Sequence, residues 1–427
     1  MTHESWVATV RWVGFIIHQY KADCRFALYS RILNFIMKLL QFGAGNIGRS
    51  FIGQLFARAG WAVTFVDIDE QIVAELNRRR CYPVIIKHPD GREERIEVTG
   101  VDAINGTDRK SVIEAVRSAD LIATSVGTGA LPRVSEMVAE GLQLRRSSVS
   151  IILAENIRNG ATVVRQQLQR HLPHDSAVLS RTGVVETSIG KMVPLMTEDD
   201  READPLQVFA EPYNTLILDR LGFRGPVPAV AGITAVDNIT AYVDRKLFVH
   251  NMGHAACAYL GYRENPDLLF LWQALEMESV QRTVRAAMQQ SAAALARTYP
   301  NDLDPEGLEE HINDLLSRFA NRSLGDTVYR VGRDLPRKLH KSDRMLGAML
   351  LAQRMECAYD RIMEATAAAL RFRARDESGQ LYPSDQRFLE QDLPRGITHV
   401  LHSVCELDPA DPVENELLSR LSHSLDV

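Results

Sequence analysis

Met37-Lys-Leu-Leu-Gln-Phe42, running into Gly43-Ala-Gly-Asn-Ile-Gly48, decides the fold. The short apolar run reads as a buried strand. The loop of Gly43, Ala44, Gly45, Asn46, Ile47 and Gly48 has glycine at the three positions of a dinucleotide-binding turn. The first glycine permits the tight turn and the second lets backbone approach a pyrophosphate. The third lets the following helix, expected over 50–59, pack against the strand. A glycine triplet alone is weak evidence. Here Gly60 stops the helix, and a second apolar strand, Ala62-Val-Thr-Phe-Val66, ends in Asp67, nineteen residues beyond Gly48. A carboxylate at that place accepts from both adenosine ribose hydroxyls and repels a 2′-phosphate, which favours NAD over NADP. The bland alternative for Asp67 is a strand-end turn residue.

Outward from this unit the chain alternates as a doubly wound sheet does. A helix is expected over 70–79, a hairpin from 82–86 and 95–98 around Pro89-Asp-Gly91, a helix over 112–117, and buried strands over 121–126 and 149–153. Ligands gather outside the carboxyl ends of such strands, which places Val126 and Gly127 beside the cofactor and delivers Glu155 and Asn156 to the same edge. For Asn156 the competing reading is a helix N-cap before Gly160. From about Asp237 long amphipathic helices take over, expected over 268–298, 305–319, 342–373 and 414–422. The fold class is therefore α/β: a Rossmann-type NAD-binding domain over 37–236 and a mostly α-helical substrate and catalytic domain over 237–427, following an extension over 1–36. The tail after Asp376 has no assigned role.

Within the helical part, Lys246-Leu-Phe-Val-His-Asn-Met-Gly-His254 puts an amine, an amide and an imidazole at i, i+5 and i+8. At about 100° per residue these fall at roughly 0°, 140° and 80°, so Lys246, Asn251 and His254 can look into one cleft. Lysine can take a hydroxyl proton once desolvation lowers its pKa, asparagine can donate to a developing alkoxide, and histidine can orient a substrate. An amphipathic helix with three unrelated polar residues remains the alternative.

The two segments together resemble the polyol-specific long-chain dehydrogenases. The resemblance runs from about Met37 to about Arg373 through Phe42-Gly-Ala-Gly-Asn-Ile-Gly-Arg49, Ala154-Glu-Asn-Ile157, Asp237-Asn238, Arg245-Lys-Leu-Phe248 with Asn251 and His254, Arg330-Val-Gly-Arg333 and Arg337-Lys-Leu339. It implies a metal-independent, NAD-linked oxidoreductase in which Lys246 is the general base, Asn156 and Asn251 hydrogen-bond the reacting oxygen, and His254 orients the substrate. The expected reaction interconverts D-mannitol 1-phosphate and D-fructose 6-phosphate. Free mannitol or a hexuronate (fructuronate, tagaturonate) are the sister substrates, and a non-catalytic NAD-binding sensor would have no need for the lysine motif. Members of the family carry an Asp-Arg-Ile-Val-Pro-like element where this chain has Gly190-Lys-Met-Val-Pro194, so Lys191 replaces a planar fork with a point charge.

Six basic residues stand between Arg330 and Arg344 among only two acids. A solvated loop is the ordinary reading for any one of them. A phosphorylated substrate needs charge-assisted donors, which makes Arg330, Arg333 and Lys338, with Lys191, the expected substrate contacts.

Composition agrees with an ordinary two-domain enzyme. The chain has 427 residues, 45% of them hydrophobic, and a net charge of −6, which argues against a nucleic-acid surface. Five scattered cysteines show neither Cys-x-x-Cys nor metal-ligand spacing, as expected of thiols in a reducing, cytoplasmic compartment. The expected partner is a small sugar phosphate, with no metal, membrane or nucleic acid, and a monomer is plausible. The apolar run from Trp6 to His18 is interrupted by Arg11 and too short to span a bilayer. The simplest reading makes Met37 the natural first residue and the upstream stretch an over-extended reading frame; a membrane-associating amphipathic helix is the alternative.

Overall fold

The computed structural model describes residues 36–173 and 177–424. The expectations for residues 1–35, Cys24 included, lie outside the described residues. Eleven strands form along the described chain: β1 (Lys38–Phe42), β2 (Ala62–Asp67), β3 (Cys81–Lys87), β4 (Glu93–Thr99), β5 (Val101–Asn105), β6 (Leu121–Thr124), β7 (Val149–Leu153), β8 (Thr182–Ser188), β9 (Val208–Ala210), β10 (Leu216–Asp219) and β11 (Ile233–Val236).

Eight of them make one sheet in the order β11-β10-β8-β7-β6-β1-β2-β5. The stretch from β5 to β8 is all parallel, and β10 adds antiparallel to β8. Read from β5, the first six strands have the doubly wound order, with the direction of winding reversing between β1 and β6. Parallel strands covered on both faces read as apolar runs rather than alternations. Successive residues still serve opposite cores: Leu39 and Ile152 pack on one side of the sheet, Leu40, Phe42 and Ile151 on the other. The expected hairpin is β3–β4, and β9 joins it in parallel to form a second, three-stranded sheet.

From Ile239 onward the described chain is almost wholly helical and builds a separate apolar core around one long helix over 239–264. Two expected helices divide. The run over 268–298 becomes Leu271–Leu275 and Glu278–Thr298, because Met277 is extended between them. The run over 342–373 becomes Leu346–Arg354 and Asp360–Leu370. There Glu356 takes a left-handed φ of 52°, its N–H donates to Gln353 O, and Cys357 N–H donates to Ala352 O at 2.8 Å. That is a Schellman stop built on glutamate where glycine is the usual signal.

The tail is structural. Phe388, Val400, Leu401, Leu417 and Leu421 are buried in the helical core. Asp385 accepts from the backbone N–H groups of Leu335 (2.6 Å) and Asp334 (2.9 Å), and so anchors the short Leu335–Leu339 helix.

A buried ion pair links the two halves. Arg318, at the end of the Pro305–Phe319 helix, forks onto Glu211 just after β9, with Nε to Oε2 at 2.8 Å and Nη2 to Oε1 at 2.6 Å. Glu211 is 1% exposed. Lys191 lies in the same layer, its amine donating to Tyr213 O (2.8 Å), Asn214 Oδ1 (2.9 Å) and Glu211 O (3.3 Å).

Candidate active site

The glycine loop lies at the carboxyl end of β1. Gly43 has φ of 91°, and a Cβ there would lie 2.5 Å from Ser125 O; at Gly48 it would lie 2.0 Å from Gly43 O. Neither position admits a side chain. A Cβ on Gly45 would meet nothing within 4 Å, so its backbone faces the open cleft, as a pyrophosphate cradle requires. Asn46 and Ile47 begin the helix, which passes through a π turn at Gly48–Gly53. Ala44 N–H donates to Asp67 Oδ2 at 2.6 Å, and Arg49, buried, returns Nε to Ala44 O at 2.6 Å while Nη1 holds Leu206 O. Asp67 thus fixes the loop as well as facing a cavity of about 350 Å³ lined by Gly43, Gly45, Ile68, Val126 and Arg133. The N–H groups of Val126 and Gly127 donate to the two carboxylate oxygens of Glu155 at 2.8 and 2.9 Å. Burial pushes the Glu155 carboxyl up, and these bonds oppose the shift. Val126 lines the cavity, and Gly127 follows it with open space where a Cβ would stand.

A second cavity of about 250 Å³ opens between the carboxyl ends of β7 and β8 and the helical domain. Asn156, Lys246 and Asn251 line it. Asn156 is not an N-cap, since Asn159 precedes the helix at Gly160. Its Oδ1 accepts from Lys246 Nζ at 2.5 Å, which turns the amide donors to the other side. Lys246 and Asn251 meet for a reason that uniform helix arithmetic misses: Lys246–Asn251 is a π turn. Its i→i+5 bonding brings the fifth residue above the first, where an α-helix would splay them. Desolvation, reinforced by repulsion from Arg344 and opposed by Asp343, lowers the Lys246 amine to about 8.

His254 is not brought to the same wall. Its Nε2 is 3.1 Å from Asp326 Oδ2, and its ring stacks on Phe319 at 4.7 Å. Arg330 pairs with the same Asp326. The other expected phosphate contacts are also committed elsewhere. Lys338 is buried, with Nζ donating to Val331 O (2.7 Å) and Arg333 O, and Arg333 lies over the rings of Tyr329 and Tyr382. Lys191 is buried in the interdomain layer, its amine lowered to about 8 by desolvation. The basic groups that do line the cleft are Arg158, Arg337 and Arg344. Arg158 was missed although it lies two residues past Asn156 in the same strand-end loop, which was the available signal. Arg337 and Arg344 were part of the counted cluster without being singled out. Among the described residues no three His, Cys, Asp or Glu side chains gather as a metal-ligand set, and no helix is long and apolar enough to cross a membrane.

Comparison with known proteins settles the family. The mannitol dehydrogenase Rossmann domain model matches residues 37–232 and the mannitol dehydrogenase C-terminal domain model matches residues 238–398. The chain belongs to the mannitol dehydrogenase family. Among related proteins, a mannitol-1-phosphate 5-dehydrogenase of Brevibacillus brevis is 33% identical over 386 residues, covering 88% of this chain and 96% of that one. Among solved structures, a substrate-free D-sorbitol dehydrogenase superposes with TM-score 0.71 at 16% identity, covering 92% of each chain. Pseudomonas fluorescens mannitol 2-dehydrogenase, solved with NAD and D-mannitol, gives TM-score 0.69 at 16% identity, again over 92% of each. These two likenesses establish the shared fold. Family membership makes this chain an NAD-dependent polyol dehydrogenase.

Replacing Asp67 with serine is expected to weaken NAD binding and to narrow the preference over NADP by about tenfold or more, because a charged acceptor is worth ~1.5–3 kcal/mol. The ratio of kcat/KM for the two coenzymes is the readout. A ratio equal to the wild-type value removes Asp67 from ribose recognition.

Proposed function

We propose that this dehydrogenase interconverts D-mannitol 1-phosphate and D-fructose 6-phosphate, with Lys246 moving the hydroxyl proton. The observation that carries the reading is a desolvated amine held 2.5 Å from Asn156 in a cleft edged by three arginines. NAD, when bound, accepts or returns the hydride. In the oxidative direction neutral Lys246 takes the proton from the substrate hydroxyl, and the ammonium gives it back in the reductive direction. The free amide donors of Asn156 and those of Asn251 support negative charge as it gathers on the reacting oxygen; in a site shielded from water one such donor is worth ~2.7–4 kcal/mol. Asn251 makes no side-chain hydrogen bond to protein among the described residues and is available for this. The Brevibacillus relative, named for the same phosphorylated substrate, supports the choice.

A hexuronate reductase is the second reading, because an arginine fork takes a carboxylate as well as a phosphate. NADH oxidation with fructose 6-phosphate, fructose, fructuronate and tagaturonate compares them. The expected result is the highest kcat/KM on fructose 6-phosphate. A higher value on either hexuronate overturns the proposal and leaves the fold and coenzyme site as described.

A further inference from the structure

We propose that Arg344, seconded by Arg337 and Arg158, is the seat of the substrate's phosphoryl group. This rests on the phosphorylated-substrate reading above and locates it. Arg344 is 9% exposed, lines the cleft, and uses only Nε, which donates to Asp343 Oδ1 at 2.8 Å. Its two terminal nitrogens have no protein partner among the described residues, an unusual state for a guanidinium so deeply placed. Asp343 does not fill the cleft with negative charge at its acceptor sites: Oδ1 takes the Nε and backbone N–H of Arg344, and Oδ2 takes Arg337 Nη1 at 3.1 Å. The carboxylate therefore holds two guanidinium groups side by side. Arg337 is further paired through Nε with Asp334, so Nη2 of Arg337 and both terminal nitrogens of Arg344 are the donors without a protein partner among the described residues. Burial alone raises the Asp343 carboxyl, and the neighbouring arginines bring it below its ordinary value, so it stays ionised in that role.

The rest of the basic run supplies the contrast. Arg330, Lys338 and Lys341 are each bonded to protein carboxylates or carbonyls, and Arg333 is stacked between two tyrosines. Only Arg337 and Arg344 of the six turn to the cavity. Arg158 faces them from the nucleotide domain, tied by Nη2 to Asp244 Oδ1 at 2.7 Å, with Nε and Nη1 unbonded to protein among the described residues. One free fork from Arg344, with the unbonded nitrogens of Arg337 and Arg158 beside it in the same cleft, suits the three oxygens of a phosphate monoester dianion. Because Arg344 also repels the Lys246 amine, a dianion seated on it cancels part of that repulsion, so the kinetic pKa of Lys246 should be higher with phosphorylated than with free sugar.

The test compares Arg344→Gln and the half-exposed Arg337→Gln with wild type on fructose 6-phosphate and fructose, with inorganic phosphate as an inhibitor. Arg344→Gln should raise KM for fructose 6-phosphate about ten- to a hundredfold, and that for fructose by less than about threefold, while phosphate inhibition weakens by the same factor as the first. Arg337→Gln should follow with a smaller shift, which keeps the proposal testable if the buried variant folds poorly. Equal effects on both sugars in these variants, or phosphate inhibition unchanged by them, assign the arginines to structure and overturn the subsite alone. A wild-type enzyme indifferent to the phosphate overturns the functional reading and the subsite with it.

Discussion

Lys246→Ala is expected to lower turnover by about 10²–10⁴-fold while NADH binds as before, the loss typical of removing a general base. The sign of its pH dependence follows from the lowered amine. With Lys246 as the base, alcohol oxidation should rise with pH and level off above about 8, and ketose reduction, which would draw on the ammonium, should fall above about 8. Both inflections should vanish in the variant. NADH fluorescence titration separates lost chemistry from lost coenzyme binding. Wild-type turnover in Lys246→Ala at any pH would remove the amine from the reaction.

Arg318→Ala should destabilise the protein by about 3–5 kcal/mol, since removing one partner of a buried pair strands the other charge. Glu211, 1% exposed, also accepts from the backbone N–H of Met192, so it cannot swing out to water without breaking the turn at Gly190–Met192. Lys191 donates only to oxygen atoms of 211–214 other than the carboxylate itself and cannot replace the fork. The double variant Arg318→Met/Glu211→Gln should recover part of the loss, because the stranded carboxylate is then gone, while Lys191 keeps only neutral oxygen acceptors. Urea unfolding of the three proteins checks this. A cost below about 1 kcal/mol for Arg318→Ala, the range of an exposed pair, would mean that water reaches the pair in solution.

The nucleotide domain was legible because its physics is local. Buried parallel strands such as Val149–Leu153 are apolar runs closed by turn residues, and Asp67 is the last residue of its strand. The helical domain hid its breaks: Met277 lies in a run of helix-formers, and Glu356 does a glycine's work. Lysine 338 and Arg337 are neighbours in sequence yet face opposite ways on a helix of five residues, one into the protein and one into the cleft. No count of basic residues distinguishes them. The contacts of His254 with Asp326 and Phe319, and the tail's part in anchoring Leu335, depend on residues fifty or more positions away.

The π turn at Lys246–Asn251 makes this stretch sensitive to length more than to composition. Its two flanks, Ile239–Arg245 and Met252–Glu264, share the Glu278–Thr298 helix as a neighbour, but the first also packs on β8 and β10 and the second on the Leu271–Leu275 and Asp360–Leu370 helices. A π turn holds one more residue than the α-helical turn it replaces. Deleting a single residue between the flanks would therefore let it relax to ordinary α-helix with the flanks nearly in phase, whereas inserting one would rotate one flank against the other by about 100°. Buried Ala255, Ala256 and Tyr259 would then exchange places with residues of other sizes, and Asn251 would leave the side of Lys246. Point changes at Leu247 leave that phase intact. Insertions here are therefore the alterations that natural or laboratory variation should find least tolerable, even where they touch no residue in the cleft.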